Sequence, residues 1–584
     1  MQNSYRLSIA HINDTHSNFE PSPVQFSLTT EQQSYKLVTN SGGYARLGFQ
    51  IDQARQQAVQ QQTPFLFLHG GDSFQGTLYF REFQGAANAH LLNLLKPDAM
   101  VLGNHEIDAG NSPVQAFLNR IDFPVLAGNM DLSHEDRLKV GRLYGHPMLY
   151  DFDDSSETAK VLIKPFHDTK MAIIGITLDQ MRLIARPDPD TDFVNAIDTT
   201  RATIARLHHQ GIKHIIVLSH LGLDQDRELA QQVDGISLIV GGHSHTLQGQ
   251  MSNIGLSNIP YAETINSTPI LHAGKYAETL GLAEIIFDNQ GCVTELIGNN
   301  YFMIDSQIHV SDAQGQTASP AVTQSLIAQL LAHPSIKDDQ HDDGIHQVIH
   351  SQYRPALDAL ENQILAHIPR DFVHTRLPSK HLPHGSEIAP WVSRSMYKAA
   401  KNIEPDIDFA LHNAGGVRQS LNKGQLSLAD VVGRILPFEL PLTLYQIMGK
   451  YVIEALESSI NRATNNGIVG TGAGSFPYPY GLRYFYDGKQ IKGQRITQIE
   501  IYKQDQWQAL EPDKLYIGVS SSYTAAGKEG YDALLHAHWQ QAMTSQTLPE
   551  AFIDFVSLHG HLIEDQLFTN VHYISHREDK SKHE

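Results

Sequence analysis

Residues 238–245 read LIVGGHSH: a short apolar run stops at Gly-Gly and is followed by two histidines two positions apart. Four other stretches end in a comparable way: LSIAHINDTH (7–16), FLFLHGGD (65–72), MVLGNHE (100–106) and IIVLSH (215–220). An apolar run of this length that ends in a polar residue and a Gly or turn reads as a buried parallel strand. Such a strand delivers its last side chain to the carboxyl edge of an open α/β sheet, where these sheets place their ligands. Asp14/His16 and His243/His245 are each two apart, so both members of a pair point to the same side of an extended segment.

The side chains delivered in this way are Asp14, His16, Asp72, Asn104, His220, His243 and His245. The chain has 32 histidines, and a single one after a strand is ordinarily a hydrogen-bonded surface or core residue. An Asp after Gly-Gly is ordinarily a turn residue or a cap. Five strand ends that carry only O and N donors are not explained by capping or core packing, and together they point to a two-metal phosphoesterase site. Two ions about 3.5–4 Å apart can hold phosphoryl oxygens and lower the pKa of a bridging water. Asp72, reached through GGDSFQG (70–76), is the expected bridging carboxylate because the glycines permit a tight approach. Carboxylate, imidazole and amide donors suit Zn²⁺, Mn²⁺, Fe or Co²⁺ better than they suit the all-oxygen cages of Ca²⁺ or Mg²⁺. His105 follows Asn104 and is expected beside the bound phosphate without ligating metal. Asp108, three residues on, would orient its ring. That pair makes a dyad for transition-state stabilisation or leaving-group protonation; the alternative for Asp108 is a helix cap.

A chain of 584 residues exceeds what one hydrophobic core supports, so at least two domains are expected. Its 43 basic and 63 acidic residues give a net charge of −20, which disfavours nucleic-acid polymers and anionic membrane surfaces as partners. An anionic substrate must then be drawn in locally, by metal ions and a few arginines. Cys292 is the only cysteine, so an intrachain disulfide and a thiolate metal cluster are both excluded. The sequence enters its first ligand-bearing strand within a few residues, and no apolar run approaches the roughly 20 residues needed to span a bilayer. The chain therefore reads as soluble and cytoplasmic, although the mature form of an exported protein would look the same. Oligomeric state is not encoded in any feature of the chain.

Strand-like runs alternate with helical stretches from about Tyr5 to Asp288, the pattern of a layered α/β domain. The expected architecture is α/β with two domains: an N-terminal layered sandwich over 1–315 and a C-terminal mixed α/β domain over 368–575. A connection and linker helix over 316–367 joins them, and 576–584 form a charged tail. The connection contains KDDQHDDG (337–344), and Pro355 marks a kink or a boundary in its helical pattern. In the second domain NAGGVR (413–418) follows the strand-like DFALH and offers an amide, two glycines and an arginine. Such a loop can clamp a phosphate, since guanidinium pairs bidentately with phosphoryl oxygens. Alone, it is equally a structural turn.

HINDTH (11–16), GGDSFQGTLY (70–79), GNHEID (103–108), SHLGLDQD (219–226) and GGHSHT (241–246) resemble the calcineurin-like metallophosphoesterase domain of the 5'-nucleotidase / UDP-sugar hydrolase family. LHNAGGVRQSL (411–421), ILPFELPL (435–442) and YTAAGKEGYD (523–532) resemble the C-terminal domain of that family, so the likeness covers nearly the whole chain. The resemblance implies metal-ligand roles for Asp14, His16, Asp72, Asn104, His220, His243 and His245, and a catalytic dyad of His105 and Asp108. It further implies that Phe438 and Tyr523 sandwich a base while Asn413, Gly415 and Arg418 hold base or phosphate. Two segments depart from the family pattern. The usual Gly-Gly-Asp-Gly-Tyr is Gly527-Lys528-Glu529-Gly530-Tyr531, so the acid expected on the ribose hydroxyls, Glu529, is one methylene longer. The usual Leu-Gly-Asn segment is replaced by HGSEIAPWVSRSM (384–396), leaving Arg376 and Lys380 as candidates for a second phosphate-binding cation.

The expected function is metal-dependent hydrolysis of nucleotide phosphoesters, nucleoside 5'-monophosphates first. UDP-sugars, NAD-type dinucleotides and 2',3'-cyclic nucleotides are alternative substrates. A nucleotide-binding protein without turnover, and a broad phosphoesterase with a merely structural C-terminal domain, are the rival readings.

Overall fold

The computed structural model describes residues 4–577 except 31–32, 257, 313, 439, 468–471 and 560–569. Of the expected charged tail, 578–584 lie outside the described residues. The chain divides into two compact units, Met1–Pro355 and Ala356–Glu584.

In the first unit the alternating runs build two sheets. The first, eight-stranded sheet has at its centre Thr279–Phe287, Tyr5–Ile12, Phe65–His69, Ala99–Val101 and Val125–Leu126, in that spatial order. The second, six-stranded sheet has Thr169–Ile176, His214–Ser219, Leu238–Val240 and Thr268–Leu271 side by side. Within each sheet the ligand-bearing strands run parallel to one another, with His11 opposite Leu68, Leu68 opposite Ala99 and Leu218 opposite Val240, while Thr279–Phe287 pairs antiparallel with Tyr5–Ile12. Their carboxyl ends therefore fall in line.

Period-two alternation decides which side chains meet between the sheets. Leu7, Ile9, Leu66, Leu68 and Val101 of the first sheet share one core with Ile173, Ile216, Leu218, Leu238 and Val240 of the second. The intervening residues Ala172, Ile174, Val217 and Ile239 face the other way, onto Ile204, Leu207 and Leu229 of the helices Ala196–His209 and Leu223–Gln232. Because both faces are covered, these strands read as continuous apolar runs. Each fully buried Leu, Val or Ile contributes about 1.5–3 kcal/mol, which fixes the strand ends and hence the site. Helices Tyr44–Gln60 and Ala86–Leu95 pack together, and the first of them lies against Tyr5–Ile12 and Phe65–His69.

Within the expected connection, helix Pro320–Leu331 buries Leu326 and Leu330 in a third cluster of the first unit. The helical run that follows is α over Asp343–Val348, π over Ile349–Tyr353 and α again over Arg354–Glu361. Pro355 has no N–H to return to the preceding turn, which accounts for the irregular stretch beside it.

The second unit carries a five-stranded sheet in the order Pro477–Tyr480, Phe409–Asn413, Leu515–Ser521, Pro441–Met448, Trp539–Thr547. Helix Ala389–Lys401 packs on Phe409–Asn413, and Gly449–Thr464 packs on Pro441–Met448. A four-stranded sheet is built around Leu482–Asp487 and Ile496–Lys503. Among the described residues no helix is long and apolar enough to cross a membrane.

Candidate dinuclear metal site and nucleotide-binding loop

All seven expected ligands meet at the carboxyl ends of the two sheets. Asp14, His16 and His245 have donor atoms within 4.8 Å of one another, and so do Asp72, His220 and His243. Asp72 also joins His16 and His105 in a third such group, so its carboxylate lies between the two sets. Asn104 completes the second set: its Oδ1 is 2.9 Å from His243 Nδ1 and 3.3 Å from His220 Nε2. Asp72 Oδ2 is 3.2 Å from His220 Nε2.

The backbone aims these groups at a local cost. Asp14, His16, Asp72, His243 and His245 all have φ between 47° and 74°, a region L-residues rarely adopt and which collects at functional sites. Hydrogen bonds hold the turns in place. Asp14 N donates to Gly71 O and His16 N to Asp72 O, while His243 N donates to the Asp14 carboxylate. The His220 Nδ1 faces Gly70 O at 2.7 Å and His16 Nδ1 faces Phe74 O at 3.1 Å, which puts an N–H on Nδ1 and turns Nε2 toward the donor cluster in each ring. The approach of the loops excludes any Cβ at Gly103, where it would sit 2.1 Å from Asp72 Oδ1.

The electrostatics match a cation site. Asp14 and Asp72 are 0% and 1% exposed and close together. Burial, aided by the Asp72 charge, pushes the Asp14 carboxyl up to about 8. Asp72 itself is buried, yet His220 and His105 hold it well below the usual carboxylate range. Burial lowers His16 and His243 to about 3 and His245 to about 4, so these rings are neutral bases. The bare His16 Nε2 faces His245 Nε2 at 3.0 Å, an approach that requires a proton or a cation between the two nitrogens. Burial opposes the charge on His220, but Asp72 and Asp14 outweigh it and raise that ring to about 9. Two buried acidic side chains among imidazoles, with O and N donors only, fit two divalent ions of the Zn²⁺, Mn²⁺, Co²⁺ or Fe type.

His105 Nδ1 lies 2.5 Å from Asp108 Oδ2, and its Nε2 is 4.0 Å from Asp72 Oδ2. Burial works against the charge, but Asp108 and Asp72 outweigh it and raise the imidazole to about 10. His105 is thus a half-buried cation at the rim of the donor cluster. Asp108 holds the ring instead of capping a helix: the next helix, Asn111–Leu118, is capped at Gly110.

Sequence reasoning missed Glu106. Its carboxylate is 1% exposed and accepts four backbone N–H groups, from Asp72 (2.9 Å), Ser73 (2.6 Å), Phe74 (3.0 Å) and Gly103 (2.9 Å). It staples the turn that carries Asp72 to the turn that carries Asn104 and His105. Asn13 acts similarly on Asp14: its side chain donates to the Asp14 carboxylate at 2.6 Å and to Gly274 O, and accepts from Ala273 N. An acid directly after His105, two positions beyond the ligand Asn104, was the available signal for Glu106.

In the second unit the strand Phe409–Asn413 ends in a 3-10 turn, Ala414–Gly416, and delivers the NAGGVR loop. Asn413 Nδ2 donates to Gly474 O and to Glu529 Oε2, both at 3.3 Å, and its Oδ1 accepts from Thr524 Oγ1 at 3.2 Å. Arg418 Nη1 reaches Gly415 O, and the guanidinium lies 5.6 Å from the centre of the half-buried Phe438 ring. Tyr523, also half-buried, sits in the short helix Ser522–Ala525, capped by Ser521, beside the Thr524 that holds Asn413. Burial raises the Glu529 carboxyl, while Asn413, Arg376 and Arg418 work against that shift. Arg376 and Arg418 also depress His374 after its burial, so both guanidiniums lie within electrostatic reach of both His374 and Glu529. Lys380 is exposed and takes part in neither effect. Asn413, Gly415, Arg418, Phe438, Tyr523 and Glu529 are therefore neighbours or next-neighbours in space, although they come from three separated segments.

The calcineurin-like phosphoesterase family model matches residues 7–247, and the model of the 5'-nucleotidase C-terminal domain matches residues 373–536. A Treponema pallidum protein described as "Probable 5'-nucleotidase" is 29% identical over 559 residues, covering 91% of this chain and 88% of its own length. The NAD 5'-nucleotidase of Haemophilus influenzae is 29% identical over 582 residues, covering 95% and 90%. The crystal structure of a 5'-nucleotidase precursor from Thermus thermophilus superposes with a TM-score of 0.71 at 27% identity, covering 97% of this chain and 99% of that one. With the two family models in the expected order and relatives aligned along both, the chain belongs to the 5'-nucleotidase family of calcineurin-like metallophosphoesterases.

Proposed function

We propose that this protein is a phosphoric ester hydrolase that releases phosphate from nucleoside 5'-monophosphates. The observation that carries the reading is the pair of buried donor sets sharing Asp72 at the sheet edge. Asp14, His16, Asp72 and His245 would hold one divalent ion, and Asp72, Asn104, His220 and His243 the other. When bound, such ions supply Lewis acidity and acidify a water at neutral pH. The chain's own groups do the rest. His105, charged and oriented by Asp108, holds a proton at Nε2, where it can stabilise charge on the phosphoryl group or pass to the leaving oxygen. Glu106 and Asn13 keep the ligand turns in register. In the second unit Arg418 and Arg376 would pair with phosphate oxygens, Phe438 and Tyr523 would take the base between them, and Asn413, Gly415 and Glu529 would bind its polar edge and the ribose.

A second reading, hydrolysis of NAD-type dinucleotides, is favoured by the Haemophilus influenzae relative, whose similarity spans both domains. One substrate panel separates the two: 5'- and 3'-mononucleotides, cyclic nucleotides, UDP-glucose and NAD, with phosphate and nucleoside followed separately. Phosphate released from AMP but not from 3'-AMP is the expected result. Chelator should abolish it, and Mn²⁺, Co²⁺ or Zn²⁺ should restore it. Full turnover in exhaustively chelated, metal-analysed protein would overturn the reading.

A further inference from the structure

Three histidines in KDDQHDDGIHQVIH (337–350) have no part in phosphoester chemistry. The Asp342 carboxylate accepts from Ile345 N and starts the helical run Asp343–Glu361. His346 and His350 are four apart on this run and so share a face. Their ring centres are 4.2 Å apart, and the ring of His341, the residue before the cap, lies 5.0 Å from that of His346. The donor pairs of the strand-end site offer a yardstick in the same molecule: His16 and His245 are 5.0 Å apart centre to centre, and His220 and His243 are 5.1 Å apart.

The three rings line one open cavity of about 440 Å³ together with Glu20, Arg46 and Asp339. Its cation is already engaged: Arg46 donates to Met303 O and pairs with Asp305. Glu20 is likewise held, by Tyr79 and Arg354. Asp343 lies 3.6 Å from His341 Nε2 and adds negative charge. Desolvation, with the neighbouring His350 and His341, lowers the His346 pKa, which keeps its lone pair available at neutral pH.

We propose that His341, His346 and His350 form a separate mononuclear site for a borderline transition-metal ion such as Zn²⁺, with water completing the coordination. Two histidines at i and i+4 present two imidazole nitrogens to one ion, and an all-imidazole set selects Zn²⁺, Ni²⁺ or Cu²⁺ over Ca²⁺ or Mg²⁺. Among the described residues only the strand-end groups have three donors within 4.8 Å of one another, so the ion draws His341 in by side-chain rotation. That side chain is 41% exposed and has room to turn. The bound ion would clip the irregular segment 338–342 to the helical run that begins at Asp343.

The test uses the full chain, loaded with Zn²⁺ and passed through gel filtration, with zinc per chain measured for wild type and for His346→Ala/His350→Ala. The variant should carry one ion fewer and keep wild-type turnover of an aryl phosphate, since neither ring belongs to the strand-end site. Equal zinc in the two proteins overturns the proposal. Should the double variant melt earlier than wild type in chelator, the same comparison with His341→Ala alone decides: one ion fewer supports the site, and equal zinc overturns it. The result is independent of the phosphohydrolase reading, because the difference in zinc is read whatever the substrate.

Discussion

The two units solve different problems with different architecture. In the first, seven donors arrive from five strand ends, five of them with left-handed backbone, and buried Glu106 and Asn13 fasten the turns. In the second, Arg418 and Arg376 are exposed, Phe438 and Tyr523 are half-buried, and the supporting residues come from a loop and short helical turns. Chemistry at phosphorus needs charges fixed before the substrate arrives, because reorganising them during the reaction would add to the barrier. Recognition of a base and ribose tolerates side chains that settle on the ligand. Left-handed backbone carries five of the seven donors in the first unit, whereas among Asn413, Arg418, Phe438, Tyr523 and Glu529 of the second it occurs at Glu529 alone.

This contrast can be broken at either end. Asp72→Asn should give the largest effect. An amide cannot bridge two cations with full negative charge, so metal occupancy should fall and kcat should drop about 10⁴-fold, the several kcal/mol of charge stabilisation that metal sites supply. Wild-type metal content and rate in that variant would remove Asp72 from the centre of the site. His105→Ala should lower kcat by roughly 10²–10⁴-fold, the range for a positioned acid–base group, with metal content unchanged. Its Nε2 is near enough to Asp72 and His16 that loss of an ion would reassign it as a ligand.

Glu106→Gln tests the stapling. The amide keeps the shape but loses the full charge that four N–H donors point at, and metal affinity or activity should fall roughly 10–100-fold, as for outer-shell partners generally. An unchanged Kd for metal would mean the turns hold themselves. The smallest effect belongs to the second unit. If Phe438 stacks on the base as proposed, Phe438→Ala should cost about 1–2 kcal/mol, within the span measured for base–aromatic stacking. The loss should fall on KM for AMP with kcat kept, because the base is held alike in ground and transition states. Equal losses for AMP and for a base-free aryl phosphate would show that Phe438 supports the fold and not the nucleotide.

The amino-acid sequence by itself determined the strand ends, the seven donors and the presence of two domains. Apolar runs buried on both faces can only end at a sheet edge, and O and N donors at five such ends have few other uses. The strand-like run DFALH, which forms most of the strand Phe409–Asn413, was legible for the same reason of period and length. Tertiary structure alone decided how the donors divide into two sets around Asp72, since that depends on which sheet faces which and no local period encodes it. It also revealed Glu106, whose hydrogen bonds reach more than thirty residues back to the Asp72 turn. It brought Arg376, and not Lys380, within electrostatic reach of Glu529, a matter of distance through space. Sequence spacing fixes what a strand delivers; only the packing of one sheet against another fixes what it is delivered to.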